Sequence, residues 1–200
     1  MALESGAKKV VYASTAHVYG ISPRYLPTPE THPLWLQNTY TLTKILGEQL
    51  CQLYYENHGL GYTVLRIYNA YGPRQARGYF IPDMLSKASK GVITLPGGNT
   101  TKDWVYIEDV AKAFLMALEC SFVGAVNIGT GIETRLDIIA HRIASASGAA
   151  FTAEDAANVT RMCADIARAK RILGWEPTTS LEEGLRAVIE SAAIARPVPA

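Results

Sequence analysis

Lys9-Val10-Val11-Tyr12-Ala13-Ser14 is a short apolar run, and Thr15-Ala16-His17-Val18-Tyr19-Gly20 follows it without a break. Its valine and tyrosine content suits a strand buried on both faces of a parallel sheet. Downstream, Gly20 to Asn38 carries Pro23, Pro27, Pro29 and Pro33 and reads as a long loop. Thr39 to Asn57 places Leu42, Ile45, Leu46, Leu50, Leu53 and Tyr54 at helical spacing, with Gly59 just beyond as a stop. Tyr62 to Ile67 is a second strand. Strand, helix and strand in that order predict parallel α/β architecture.

The remainder of the chain alternates in the same way. The pattern predicts a helix over Ile81 to Ala88 and short strands at Ile93 to Leu95 and Trp104 to Ile107. Asp109 is placed to N-cap a helix over Val110 to Glu119, because a carboxylate suits exposed amide donors. A strand at Ala125 to Ile128 and a helix over Leu136 to Ser147 come next. Another helix is expected within Arg161 to Leu173, and Ser180-Leu181-Glu182-Glu183 is a capping-box start to a final amphipathic helix. Pro197 to Ala200 reads as a frayed tail.

Bulk properties bound the function. Two hundred residues can bury a real core. A net charge of +1 gives no electrostatic footprint for nucleic acid. Cys51, Cys120 and Cys163 are widely spaced, with no C-x-x-C pair, which fits reduced thiols in a cytoplasmic protein. No stretch reaches transmembrane length, and the first residues lack a signal-peptide pattern. His32, His58 and His141 share no metal-ligand spacing, so no metal is assigned.

The chemistry centres on Tyr40 and Lys44. Four residues make about one helical turn, so both side chains share a helix face. An ammonium close to a phenol favours the phenolate, which is the form able to accept a proton. Thr15, at the end of the first strand, can donate a hydrogen bond to the same substrate oxygen if strand end and helix meet.

The surrounding blocks carry a resemblance. Val10 to Gly20, Leu65-Arg66-Ile67-Tyr68-Asn69-Ala70-Tyr71-Gly72-Pro73-Arg74-Gln75, Asp103-Trp104-Val105-Tyr106-Ile107-Glu108-Asp109-Val110 and Asn127-Ile128-Gly129-Thr130-Gly131 occur in order. Ala164 to Lys170 and Leu173-Gly174-Trp175-Glu176-Pro177 close the series. Together they resemble the extended short-chain dehydrogenase/reductases, the NAD-dependent nucleotide-sugar epimerases and dehydratases. The resemblance implies a partial doubly wound, Rossmann-like parallel sheet with a smaller C-terminal α/β substrate-binding part. It divides the chain into residues 1–75, the later portion of a dinucleotide-binding domain, and 76–200, mainly substrate-binding with elements returning to the main sheet.

By the same resemblance Thr15, Tyr40 and Lys44 form the catalytic set. Ala13, Ser14 and Ile67, with Tyr40 and Lys44, border an NAD or NADP cofactor, Ser14 also supporting the turn. Asn69, Phe80, Ile93, Lys102 and Arg161 contact a nucleotide-sugar substrate, and a homodimer is compatible with the pattern. Trp175 is core packing, and Arg66 is as suited to a structural pairing as to a ligand. Ala16-His17 departs from relatives that place carboxylates after the catalytic threonine for dehydration or decarboxylation. That favours epimerisation or keto-reduction. Lys102-Asp103-Trp104 replaces Arg-Asp-Phe and loses a bidentate fork for phosphate. An arginine expected near Glu154-Asp155 is replaced, and Arg161 lies close enough to compensate in part.

No G-x-x-G-x-x-G turn, which would seat a pyrophosphate on a helix N-terminus, occurs in these 200 residues. Met1 to Gly6 reads instead as the end of a helix closed by a glycine. The expectation is a sugar epimerase, with a keto-reductase or a non-catalytic fragment as the alternatives. A chain without that turn should bind NAD weakly and self-associate along its first strand.

Overall fold

A computed structural model describes residues 2–194; the tail from Pro197 lies outside that range. The first strand, β1 (Lys9–Thr15), is followed by a 3-10 turn at Ala16–Tyr19, and then by the loop that leads to α1 (Thr39–His58) and β2 (Gly61–Ile67). β1 and β2 pair in parallel, with Val11 opposite Thr63 and Thr15 opposite Ile67. A parallel pair cannot be joined by a tight turn, and α1 provides the crossover.

The limits of α1 follow from local chemistry. Asn38 accepts from the Thr41 amide at 3.0 Å, and the Thr41 hydroxyl accepts from the Asn38 amide at 3.1 Å, a reciprocal cap. Gly59 ends the helix at φ +67° and donates to the Tyr55 carbonyl. Inside the helix, a Cβ on Gly47 would lie 2.2 Å from the Tyr12 hydroxyl, so only a glycine lets α1 lie this close to β1. Gly6 donates to Leu3 and Ala7 to Ala2, the double bond pattern of a Schellman motif.

After β3 (Asn69–Tyr71), α2 (Phe80–Ala88), β4 (Val92–Pro96) and β5 (Thr101–Tyr106), α3 (Ile107–Glu119) precedes β6 (Gly124–Ile128). β7 (Glu133–Arg135), α4 (Leu136–Ser147), β8 (Ala150–Glu154), a π-helical turn at Ala169–Leu173 and α5 (Leu181–Ile194) complete the described chain. β6 returns to pair in parallel with β2, giving the order β1-β2-β6. β3-β5-β7 and β4-β8 form two smaller sheets.

One core lies between β2, β6 and α3, closed by the fully buried Trp175, whose indole donates to the Asp109 carbonyl at 2.8 Å. A second packs Tyr71, Ile93, Trp104 and Ile143 among α2, α4, α5 and β5.

Two expectations at the junction of β5 and α3 are corrected. Ile107 is helical rather than part of a strand, because β5 runs straight into α3. Asp109 is therefore not an N-cap; it sits in the first turn with its side chain buried. Its carboxylate accepts from the Thr178 amide and hydroxyl (3.1 and 2.7 Å), the Thr179 amide (2.9 Å) and the Lys112 ammonium (3.1 Å). It thereby ties the Thr178–Ser180 loop to α3. The helix expected within Arg161 to Leu173 is confined to its end, from Ala167 onward. The capping box at Ser180 and Glu183 is formed, with the Ser180 amide donating to Glu183 at 2.9 Å and the Glu183 amide to the Ser180 hydroxyl at 3.2 Å.

Candidate active site

The C-terminal end of β1 and the first turns of α1 meet at one place. Lys44 donates to the Ala13 carbonyl at 2.9 Å, and its ammonium lies 5.8 Å from the Tyr40 ring centre and 5.5 Å from that of Tyr12. Tyr40 is 51% exposed, and its hydroxyl makes no hydrogen bond among the described residues. Thr15 is buried and caps the 3-10 turn by accepting from the His17 amide at 3.3 Å, which leaves its hydroxyl proton for a further acceptor. Thr15 and Tyr40 do not bond each other.

A buried polar chain holds these elements in register. Ser14 donates to Glu48, one turn beyond Lys44 on α1. Arg66 on β2 clasps Glu48 through Nε (3.1 and 3.2 Å) and Nη2 (2.7 Å), and donates to the Tyr19 hydroxyl at 2.9 Å. Tyr19 in turn donates to Asn127 of β6 at 2.7 Å. Burial pushes the Tyr19 phenol up to about 12, although Arg66 opposes that shift. Arg66 also reaches the Glu30 carbonyl, and the Glu30 carboxylate accepts from the Asn127 amide at 2.9 Å, so the long loop is tied to the sheet.

Glu48 and Glu30 were missed from sequence. Glu48 carried a readable signal, because it continues the Tyr40, Lys44 spacing by one more turn on the same face. Ser14, whose side chain is spent on Glu48, supports the fold beside the site.

Four of the remaining expected contacts sit on or beside β3 to β5. Asn69 donates to the Asp103 carbonyl at 3.1 Å and keeps its amide oxygen. Phe80 rests against Trp104 with ring centres 5.7 Å apart. Lys102 is mostly buried and meets only the Met162 sulfur, at 3.4 Å; burial lowers its pKa. His17 lies near enough to feel the Lys102 charge, and its pKa is lowered by burial and then by that charge. The imidazole is therefore neutral at neutral pH and is no substitute for a carboxylate.

Ile93 does not reach the surface. It is 0% exposed within the second core, so any contact it makes to a ligand is through backbone alone. Arg161 is held by Glu133, with Nε at 2.9 Å, and that carboxylate neutralises much of the charge it could offer a phosphate. Ile67 ends β2 directly opposite Thr15, and its outer neighbour is Ile128.

Asp103 and the Gly129-Thr130-Gly131 segment are structural partners. The carboxylate accepts from Thr130 (amide 2.7 Å, hydroxyl 2.6 Å), Gly131 (2.9 Å) and Ala164 (3.0 Å). Burial still pushes the carboxyl up, against those four donors. A side chain at Gly129 would lie 2.8 Å from both Asp103 and Ala164. Three of the sequence blocks are thus bound to one another. A cavity of about 760 Å³ opens elsewhere, between α2, α4, α5 and the Gly72–Gly78 turn, away from the Thr15, Tyr40 and Lys44 cluster.

The residues present fit the nicotinamide half of a dinucleotide. Lys44 keeps two unspent donors after Ala13, and Tyr40 presents a hydroxyl, the donors a ribose diol accepts from. Among the described residues, no group of three His, Cys, Asp or Glu side chains converges to hold a metal, and no helix is long and apolar enough to cross a membrane.

Comparison with known proteins places the chain. Residues 1–129 match the model of the "NAD dependent epimerase/dehydratase family". A putative UDP-glucose 4-epimerase of Methanocaldococcus jannaschii is 40% identical over 193 residues, covering 90% of this chain and 62% of that protein. The UDP-glucose 4-epimerase of Thermotoga maritima, solved with UDP-glucose, superposes with a TM-score of 0.87 at 31% identity, covering 96% of this chain and 66% of that one. The Thermus thermophilus UDP-glucose 4-epimerase, solved with NAD, gives 0.86 at 28% identity, covering 98% and 67%. The chain spans between 55% and 63% of the length of such curated relatives.

Proposed function

Since the chain belongs to the NAD dependent epimerase/dehydratase family, we propose that it carries the catalytic set of a nucleotide-sugar epimerase. The observation that carries this reading is the Lys44 bond to the Ala13 carbonyl, which sets Tyr40 and Lys44 at the mouth of β1 beside Thr15. Residues 1–75 supply that set and the nicotinamide side of the cleft, and much of 76–200 supplies the substrate side.

NAD, or NADP, would supply a reversible hydride acceptor, held here through the ribose by Lys44 and Tyr40, with Ala13 and Ile67 beside it. Thr15 donates its hydroxyl proton to the reacting sugar oxygen and so fixes its position. Tyr40 takes the proton from that oxygen as the alcohol becomes a ketone, and returns it when the alcohol is re-formed with the opposite configuration. Lys44 keeps a positive charge beside Tyr40 and stabilises the oxygen anion that Tyr40 carries before it takes the proton and after it returns it. Asn69 and Lys102 orient the nucleotide-sugar; Lys102 brings a buried positive charge that no carboxylate neutralises.

The Ala16-His17 pair supports epimerisation over elimination. Water loss or decarboxylation needs a carboxyl group beside the threonine, and here there is a methyl and a neutral imidazole. A homodimer formed through the exposed face of α1 belongs to the same proposal.

The test supplies NAD and UDP-glucose to the protein and follows UDP-galactose. Tyr40→Phe should lower kcat by a factor on the order of a hundred or more with little change in KM. A Phe variant of near-normal turnover removes Tyr40 from the mechanism. Stoichiometric conversion of NAD to NADH marks a reductase running in reverse, and release of a 4-keto-6-deoxy sugar marks a dehydratase.

A further inference from the structure

The loop between the 3-10 turn and α1 encloses a second cavity, of about 500 Å³, that none of the catalytic candidates lines. Its wall includes Trp35, Tyr25, Arg24, His32, Gln37 and Ser22. Trp35 is 62% exposed, an unusual placement for an indole with no partner element over it. The Arg24 guanidinium lies 5.6 Å from the Tyr25 ring centre and pairs with no carboxylate, and no lining residue is acidic. His32 is neutral as bonded: one ring nitrogen accepts from the Arg24 amide at 3.0 Å, which leaves the other to donate to the Pro33 carbonyl at 2.8 Å.

The wall is held from behind. The Trp35 amide donates to the Val18 carbonyl at 2.7 Å, the Thr28 hydroxyl to the Tyr25 carbonyl at 2.9 Å, and the Thr28 amide to the Cys163 carbonyl at 2.8 Å. Tyr19 and Tyr25 meet His32 edge-on at 5.6 and 5.7 Å. The cavity is therefore formed in advance, within the size range of small-molecule sites, aromatic, and singly positive.

We propose that this cavity is a binding site for a nucleoside phosphate, with the base stacked on Trp35, the phosphate on Arg24, and Gln37 and Ser22 hydrogen-bonding the base or ribose. A flat aromatic face suits any base, and a guanidinium with free donors suits a phosphate. The site goes beyond the epimerase reading and does not depend on it.

Equilibrium dialysis of the 200-residue chain tests it, with UMP, uridine and inorganic phosphate as probes. UMP should bind at millimolar concentrations or below, uridine more weakly, and phosphate weakest. Trp35→Ala should weaken UMP about ten- to a hundredfold, and Arg24→Ala should bring UMP down to the level of uridine. Both residues are exposed, and circular dichroism confirms that the variants are folded. In a Lys102→Ala background, which removes the charge proposed for the substrate cleft, the UMP binding that depends on Trp35 should persist. No saturable UMP binding overturns the proposal. Binding that survives Trp35→Ala but is lost with Lys102→Ala also overturns it, by placing the nucleotide in the substrate cleft. A protein with no epimerase activity that still binds UMP through Trp35 would refute only the epimerase reading.

Discussion

Glu48 and Arg66 show how one buried pair can set the geometry of a site it does not line. A buried ion pair adds little net stability over a well-packed apolar pair, whereas removing one partner leaves a charge stranded. Glu48→Ala should therefore lower the unfolding free energy by about 3–5 kcal/mol, and Glu48→Leu with Arg66→Met should cost clearly less than that single change. Denaturant unfolding of both variants measures the difference; a double variant as damaged as the single one would contradict the account. His17 gives a prediction in pH. Its folded pKa is depressed by burial and by Lys102, so the native state binds fewer protons than the unfolded chain. Its contribution is complete above the ordinary histidine value of about 6.5 and is lost as pH falls from there through the lower folded value. His17→Asn should flatten the fall in stability below about pH 6.5, as read by thermal unfolding at stepped pH. An unchanged slope would show that Lys102 and burial act less on the imidazole than the geometry implies.

Helix α1 joins sequence pattern to site geometry, and Gly47 is where the two conflict. Propensity alone says that Gly47→Ala should stabilise a helix interior by about 1 kcal/mol. The Tyr12 ring says the opposite, because the new methyl would lie 2.2 Å from the hydroxyl and 2.3 Å from Cζ. Gly47→Ala should therefore destabilise by about 1–3 kcal/mol and, by pushing α1 off β1, loosen the Lys44 bond to Ala13. Gly47→Ala with Tyr12→Ala should recover most of the helix gain, and a stabilised single variant would reverse the argument. Periodicity and the Gly59 stop made α1 legible over Thr39 to Asn57, and a run rich in valine and tyrosine did the same for β1. β7 and β8 were not legible. Glu133–Arg135 is a short polar segment made into a strand by pairing with Asp103, Lys102 and Thr101. Ala150–Glu154 exists as a strand through β4. Asp109 misled for a related reason: its residue type suits a cap, but its partners, Thr178 and Thr179, come from nearly seventy residues away in sequence.

At the scale of the whole molecule, the Tyr40, Lys44 and Thr15 cluster was readable because its members lie in two local segments that one crossover brings together. The contacts of Lys102, Arg161 and Ile93 were not, because burial and a competing carboxylate on another strand decide what each side chain can reach. The parallel sheet has a further consequence. Among the described residues β1 pairs only with β2, so its other edge presents unpaired amides and carbonyls. Leu42, Leu46, Leu50 and Leu53 are exposed along one side of α1 at spacings of four, four and three residues. An apolar hollow of about 390 Å³ between α1 and Leu3, Val10 and Tyr62 extends the patch. An open strand edge and an exposed leucine stripe each favour pairing with a second copy, which presents the same surfaces. The 200-residue chain should therefore run above monomer mass in light scattering at micromolar concentration. Leu46→Lys with Leu50→Glu should return it to monomer without loss of helix content, since both side chains already face solvent. A monodisperse wild-type monomer would show that the edge is protected.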